Sequence, residues 1–238
     1  MRIFPYARAV PGPQIVGFGG HQVGAPEYRA LEDWLLGLTG KERPRVLFVP
    51  TASAESRDYV VCAFDSFGDR ADVSHLDFFP WPPPELREFV LGHDLVYVGG
   101  GNTANMLAIW REHGMDEIVR EAWQAGVVLA GVSAGMICWF EGGVTDSFGP
   151  QLEAMECLGL IPGSACPHYD GEELRRPRYH ELVAAGFPGG WAADDGVALH
   201  FEGWELREAV TALPGKAAYR VELRDDGVVE ERVEARLL

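Results

Sequence analysis

Short apolar runs alternate along the first half of the chain with stretches whose apolar residues recur every three or four positions. The runs are Gln14–Phe18, Arg45–Pro50, Asp72–Phe79, Asp94–Val98 and Val127–Ala130, each of a length suited to a buried strand. Tyr28, Leu31, Leu35 and Leu38 mark a helix over 26–38, closed by Gly40. Ser53 stands where an N-cap opens a helix reaching Gly68, and Trp81 with three prolines leads into a short helix over 85–91. Two more helices, over 104–113 and 115–125, are divided by Gly114. This alternation predicts an α/β protein, a three-layer α/β/α sandwich with a mainly parallel sheet. Ligand sites in such sheets lie beyond the carboxyl ends of the strands.

The second half is less regular. A stretch over 158–169 reads as short strand or loop, 177–185 as a helix and 196–201 as a strand. Two runs, 218–223 and 228–233, flank Asp225-Asp226-Gly227 and predict a C-terminal β-hairpin. No repeat, low-complexity tract or linker interrupts the sequence, so residues 1–238 are expected to form a single domain.

Charge narrows the partners. A formal net charge of −16 offers no positive groove for nucleic acid and disfavours an anionic membrane surface. Cys62, Cys138, Cys157 and Cys166 form no CxxC pair and no zinc-like set with histidine, so neither a metal nor another cofactor is expected. Cys62 and Cys138 lie in apolar runs and are expected to be buried thiols in a reducing compartment. The opening MRIFPYARAVPGPQ has no apolar signal-peptide core, and no run of 18 apolar residues occurs; the expectation is a cytoplasmic protein.

The most informative stretch is Gly131-Val132-Ser133-Ala134-Gly135. It follows the apolar strand and precedes Met136–Phe140, which reads as the start of an apolar helix. Strand, Gly-x-Ser-x-Gly turn and helix are the context of a nucleophile elbow, in which small residues permit a sharp turn that exposes the serine. The N–H of Ala134 then opens a helix, where the partial positive charge favours an oxyanion. The plainer reading is a tight packing turn. A serine needs a base and the base an orienting group. Of seven histidines, His75, His93, His113 and His180 have no special neighbours, and nothing ties His21 to the serine. His168, between Pro167 and Tyr169, and His200, two residues from Glu202 on a strand and so on the same side, both remain candidates.

Four blocks, Val98-Gly99-Gly100-Gly101-Asn102-Thr103, Gly131–Gly135, Pro167-His168-Tyr169 and Glu202-Gly203-Trp204, resemble in kind and order those of the peptidase E (aspartyl dipeptidase) family of serine peptidases. They span roughly the middle half of the chain. The resemblance implies a fold like that of class I glutamine amidotransferases, with serine in place of their cysteine. It implies Ser133 as nucleophile, His168 as base and Glu202 as the orienting carboxylate, with an oxyanion hole from Ala134 N–H and a glycine amide, taken as Gly100. His200-Phe201-Glu202 departs from the family pattern and resembles the His-x-Glu of the amidotransferases, which keeps His200 as the alternative base.

The resemblance further implies hydrolysis of short peptides at the N-terminal residue, with Asp-X dipeptides as one substrate class. Asn102, Asp146, Arg175 and Arg178 are the substrate-binding candidates: Asp146 for the α-ammonium and an arginine for a carboxylate, against the plainer reading of a solvated charged turn. A broader aminopeptidase or tripeptidase, a cyanophycinase-like peptidase and an inactive amidotransferase-like binding module are the alternatives. An α/β-hydrolase esterase is disfavoured, because no histidine follows Glu202. Phe78, Phe79 and Trp81 beside the prolines offer either a homodimer contact or a cap on the core.

Overall fold

The computed structural model describes residues 12–238; the expectation about the chain's opening falls largely on residues outside that range. The elements in order are β1 (Gln14–Phe18), α1 (Arg29–Gly37), β2 (Arg45–Val49), α2 (Arg57–Phe67), β3 (Asp72–His75), α3 (Leu86–Leu91), β4 (Leu95–Val98), α4 (Thr103–His113), α5 (Met115–Gln124), β5 (Val128–Val132) and α6 (Ala134–Ile137). Then follow β6 (Phe140–Thr145), β7 (Glu153–Glu156), β8 (Ile161–Cys166), α7 (Arg175–Ala184), β9 (Gly190–Ala193), β10 (Val197–Glu202), β11 (Glu205–Thr211), β12 (Ala217–Arg224), β13 (Gly227–Glu234) and β14 (Arg236–Leu237).

Eight strands form the first sheet, in the order β14-β11-β10-β1-β5-β4-β2-β3. Its part from β1 to β3 is parallel, and β10 joins β1 antiparallel with Val16 opposite His200. Alternation along the strands builds two cores. Val16, Phe18, Phe48, Tyr97 and Ala130 meet Leu31 and Leu35 of α1 and Val60, Ala63 and Phe67 of α2. Ile15, Leu47, Val49, Val98 and Leu129 face the other way, toward Leu107 and Trp110 of α4 and Met136 and Trp139 around α6. Helices thus cover both faces, as the alternation predicts.

The expected architecture lacks one layer that the structure has. A second sheet, of order β13-β12-β9-β8-β6-β7, contains the C-terminal hairpin as two of its six strands, and α7 packs Tyr179 and Val183 on it. The apolar helix expected from Met136 is a single turn, because Trp139 and Phe140 turn into the core and Phe140 starts β6. Ser56, not Ser53, caps α2, its side chain accepting from Tyr59 N–H. Cys62 is exposed on α2, whereas Cys138 is buried. Phe78 is buried, while Phe79 and Trp81 stand 60% and 78% exposed. Among the described residues no helix is long and apolar enough to cross a membrane.

His21, just past β1, packs its ring against Phe18, Tyr28 and Tyr97, at centroid distances of 4.8, 5.4 and 6.2 Å. Burial disfavours the imidazolium and drives its pKa from 6.5 down to about 4. The unfolded chain therefore takes up this proton first. The stability contributed by the neutral ring is complete above pH 6.5 and is lost as pH falls toward about 4. Replacing the ring by His21→Phe removes that liability. The difference in thermal midpoint between wild type and variant is expected to shift in favour of the variant between pH 7 and pH 4.5, as measured by calorimetry; a constant difference would mean that His21 is not held neutral.

Candidate active site

Val132 ends β5 and Ser133 turns the chain with φ 55° and ψ −107° before α6 begins. That backbone conformation is costly for a residue with a side chain. The surroundings impose it. Gly131 lies so close to Gly135 that an added Cβ would stand 2.6 Å from the Gly135 carbonyl carbon, and one on Gly135 would stand 2.8 Å from that of Val98. The two glycines of the motif are the contact surfaces across which the elbow closes.

Three successive residues leaving β1 organise what surrounds the serine. Phe18 C=O accepts from Ser133 N–H (3.1 Å), and Gly19 C=O accepts from His168 N–H (3.1 Å). Gly20 bridges Asp195 and accepts from Gly196 N–H. His168, itself at φ 55°, bonds through Nδ1 to Asp195 Oδ1 at 2.7 Å. A Cβ on Gly20 would fall 2.5 Å from that Nδ1 and against the Asp195 carboxylate, so only glycine leaves room for the pair. The hydrogen bond from His168 holds the Asp195 carboxyl below the usual carboxylate range, outweighing the opposing effect of partial burial. Asp170 accepts from Asp195 N–H (2.9 Å) and pairs with Lys216, which fixes the loop that carries the carboxylate. Neighbouring Asp194 turns the other way, accepting from Ala217 N–H at 3.0 Å.

Glu202, expected to orient the histidine, does not meet it. Strand β10 runs antiparallel to β1, with Ala198 opposite Phe18 and Glu202 opposite Gln14. The chain has therefore travelled four residues, about 13 Å at ~3.3 Å per residue, away from the edge where Ser133 sits. Glu202 is exposed there. His200, the alternative base, is also remote: it is 4% exposed, its Nε2 lies 3.0 Å from Gln14 Oε1, and burial lowers its pKa. The carboxylate that does meet His168, Asp195, has one visible signal in the sequence, the Asp194-Asp195-Gly196 turn immediately before a strand.

A cleft of about 330 Å³ joins Ser133 and His168 to Gly101, Asn102, Asp146, Glu172 and Arg175. Asp146 is exposed and enters no ion pair among the described residues. Arg175 is 4% exposed. Its Nε donates to Glu172 (2.7 Å) and its Nη1 to Val144 C=O (2.9 Å), so its charge is already balanced. Asn102 lines the cleft, but its side chain caps α4 through Asn105 N–H and donates to Ser147 C=O. Arg178 does not reach the cleft; it donates to Leu152 C=O and pairs with Glu181 in a separate depression. Gly100, taken as an oxyanion donor, gives its N–H to Tyr59 Oη at 3.3 Å. The amides of Ala134 and Gly101 meet no acceptor among the described residues. No group of three or more His, Cys, Asp or Glu among those residues is placed to hold a metal ion. Such an arrangement, with a strained serine, a histidine tied to a carboxylate and free amides, suits acyl transfer.

Comparison with known proteins agrees in direction. The sequence pattern of peptidase family S51 matches residues 15–209. YgaJ, an uncharacterized peptidase of Bacillus subtilis strain 168, is 47% identical over 220 residues, which is 91% of this chain and 95% of that protein. Peptidase E of Streptomyces coelicolor is 31% identical over 128 residues, 52% of this chain and 51% of that protein. The crystal structure of a peptidase from an acI-B1 actinobacterium shares the fold, with a TM-score of 0.70 at 18% identity over 95% of this chain and 96% of that one.

The pairing of His168 with Asp195 has a spectroscopic signature. A downfield imidazole N–H resonance is expected in the proton spectrum, lost in Asp195→Asn and in Gly20→Ala and retained in Glu202→Gln. Loss in Glu202→Gln alone would return the histidine to the partner expected from the sequence.

Proposed function

The chain belongs to peptidase family S51, a family of serine-type exopeptidases, and from that premise we propose that it hydrolyses short peptides at the N-terminal residue through an acyl-enzyme on Ser133. His168 is the base and Asp195 the carboxylate that orients it. The observation that carries this reading is the attachment of all three residues to one strand exit, with His168 Nδ1 engaged by Asp195 at 2.7 Å. That bond directs the other ring nitrogen, Nε2, to the proton-transfer role.

In this mechanism Ser133 Oγ attacks the carbonyl carbon of the first residue while His168 Nε2 takes its proton. The carbonyl oxygen becomes negative facing the Ala134 and Gly101 amides, which stabilise it. The C–N bond breaks as His168 returns the proton to the leaving amine. Water, deprotonated by His168, then attacks the acyl-enzyme and releases the N-terminal amino acid. Asp146 receives the substrate's α-ammonium, which supports cleavage at a free N-terminus rather than within a chain. Arg175 contributes its remaining Nη2 to the first side chain. Its charge is balanced by Glu172, so it rewards an aspartate carboxylate only modestly.

Ser133→Ala and His168→Ala are each expected to lower kcat by about 10⁶-fold and Asp195→Asn by about 10⁴-fold, as loss of a triad member does. Glu202→Gln and His200→Asn are expected to stay within a few-fold of wild type. Release of free amino acid from a dipeptide measures all five. A crippling Glu202→Gln beside a mild Asp195→Asn would sink the assignment of the carboxylate.

Specificity gives an independent check. Because Arg175 is already paired with Glu172 and its remaining N–H can serve an amide oxygen as well as a carboxylate, kcat/KM for Asp-Leu and Asn-Leu should agree within about tenfold. A preference for Asp-Leu beyond a hundredfold would show that Arg175 leaves Glu172 to grip the substrate.

A further inference from the structure

Beside the catalytic cleft, and sharing Asn102 with it, lies a second groove of about 590 Å³. Its walls include Ala52, Ala54, Phe79, Ala108 and Ile109, and no lysine, arginine, aspartate or glutamate lines it. The groove is a built feature. Ala54 and Glu55 are consecutive residues in the left-handed region, φ 54° and φ 57°, a conformation that side chains make costly. The Glu55 carboxylate accepts from the N–H groups of Phe78 and Phe79, the latter at 3.3 Å from both oxygens. The strained turn thus clamps the segment that holds Phe79, 60% exposed, over the groove. The floor is continuous with the reacting centre. Ala52 C=O accepts from Asn102 N–H at 2.7 Å, and Gly101 lies so close to Ala52 that an added Cβ would stand 2.4 Å or less from its carbonyl.

We propose that this groove binds an apolar, preferably aromatic, side chain of the substrate residue immediately after the scissile bond. The inference rests on the reading of the polar cleft as the seat of the N-terminal residue. With the α-ammonium at Asp146 and the reacting carbonyl at Ser133, the peptide leaves the cleft across Gly101 and Asn102, and the next side chain meets Ala52, Phe79, Ala108 and Ile109. The absence of a cation among the lining residues means that the groove gives no credit for a free carboxylate. Peptides longer than two residues, or amidated ones, are therefore accepted on the same terms as dipeptides.

The test measures binding without turnover. The Ser133→Ala protein is titrated by calorimetry with Asp-Phe amide and Asp-Ala amide, each also with asparagine in place of the aspartate. The phenylalanine probes are expected to bind about tenfold or more tightly, from burial of the ring. Ala108→Trp, which fills the groove from an exposed position on α4, and Phe79→Ala, which removes a wall, should each bring that ratio toward one. Two variants guard against a folding failure in either, and a thermal melt checks both. Equal binding, no binding of any probe, or a preference that survives both substitutions overturns the proposal. Fluorophosphonate labelling of Ser133 in the wild-type protein reports separately on the catalytic reading. Labelling without a phenylalanine preference removes the groove alone, and preference without labelling removes the acyl-enzyme and leaves the groove.

Discussion

Everything in the site hangs from the carboxyl end of β1. The strand is central in its sheet, flanked by β5 on one side and β10 on the other. Its last carbonyl holds the serine elbow, the next holds the histidine loop, and the third residue bridges the aspartate turn. These are ordinary backbone bonds, each contributing roughly 1 kcal/mol net. Two of the three are made at residues with no side chain: a Cβ on Gly19 would strike Ala193 and Asp194, and one on Gly20 the histidine–aspartate pair. The glycines at 19 and 20 therefore serve proximity more than flexibility. They let three remote segments approach one another within hydrogen-bonding range.

The second sheet is what makes the histidine a fixed point. His168 follows β8, and its neighbour Tyr169 donates from N–H to Ala193 C=O at the end of β9. The Tyr169 hydroxyl donates to Glu230 of β13 at 2.6 Å, where Arg176 and His180 also converge. Arg176 lies over the rings of Tyr169 and Tyr219, 5.4 and 4.9 Å from their centroids. The C-terminal hairpin thus braces the residue next to His168. One sheet carries Ser133 and the other His168, with β1 as the splice between them.

The sequence made the parallel core and the serine turn legible for one reason: both are written in local pattern. Five short apolar runs, helical spacing between them and small residues around Ser133 leave few alternatives. His168 was legible through the Pro-His-aromatic block. Its contact with Asp195 was not, because that contact depends on the direction in which β10 leaves the site. Glu202, two residues from a histidine on a strand, looked like a partner until the antiparallel register carried it to the far edge. The second sheet beyond its hairpin escaped for a different reason. In β6 and β9 close approach puts glycine where a β-branched residue would mark a strand: Gly143 meets Ile137, and Gly190 lies against the backbone of Ser164. Strands built for contact at the backbone leave little hydrophobic period to read.

The splice also sets an order in time. Val16 pairs with Ala130 on one side and with His200 on the other, so the strand that anchors the site must wait for partners made much later. A chain emerging from a ribosome has its serine elbow long before it has the turn at Asp195. Until that turn arrives the imidazole has no carboxylate to hold it, and non-local closures of this kind are slow to form. The pocket is therefore complete only once β10 has been made, and every earlier length of chain carries its serine turn without the histidine–aspartate pair.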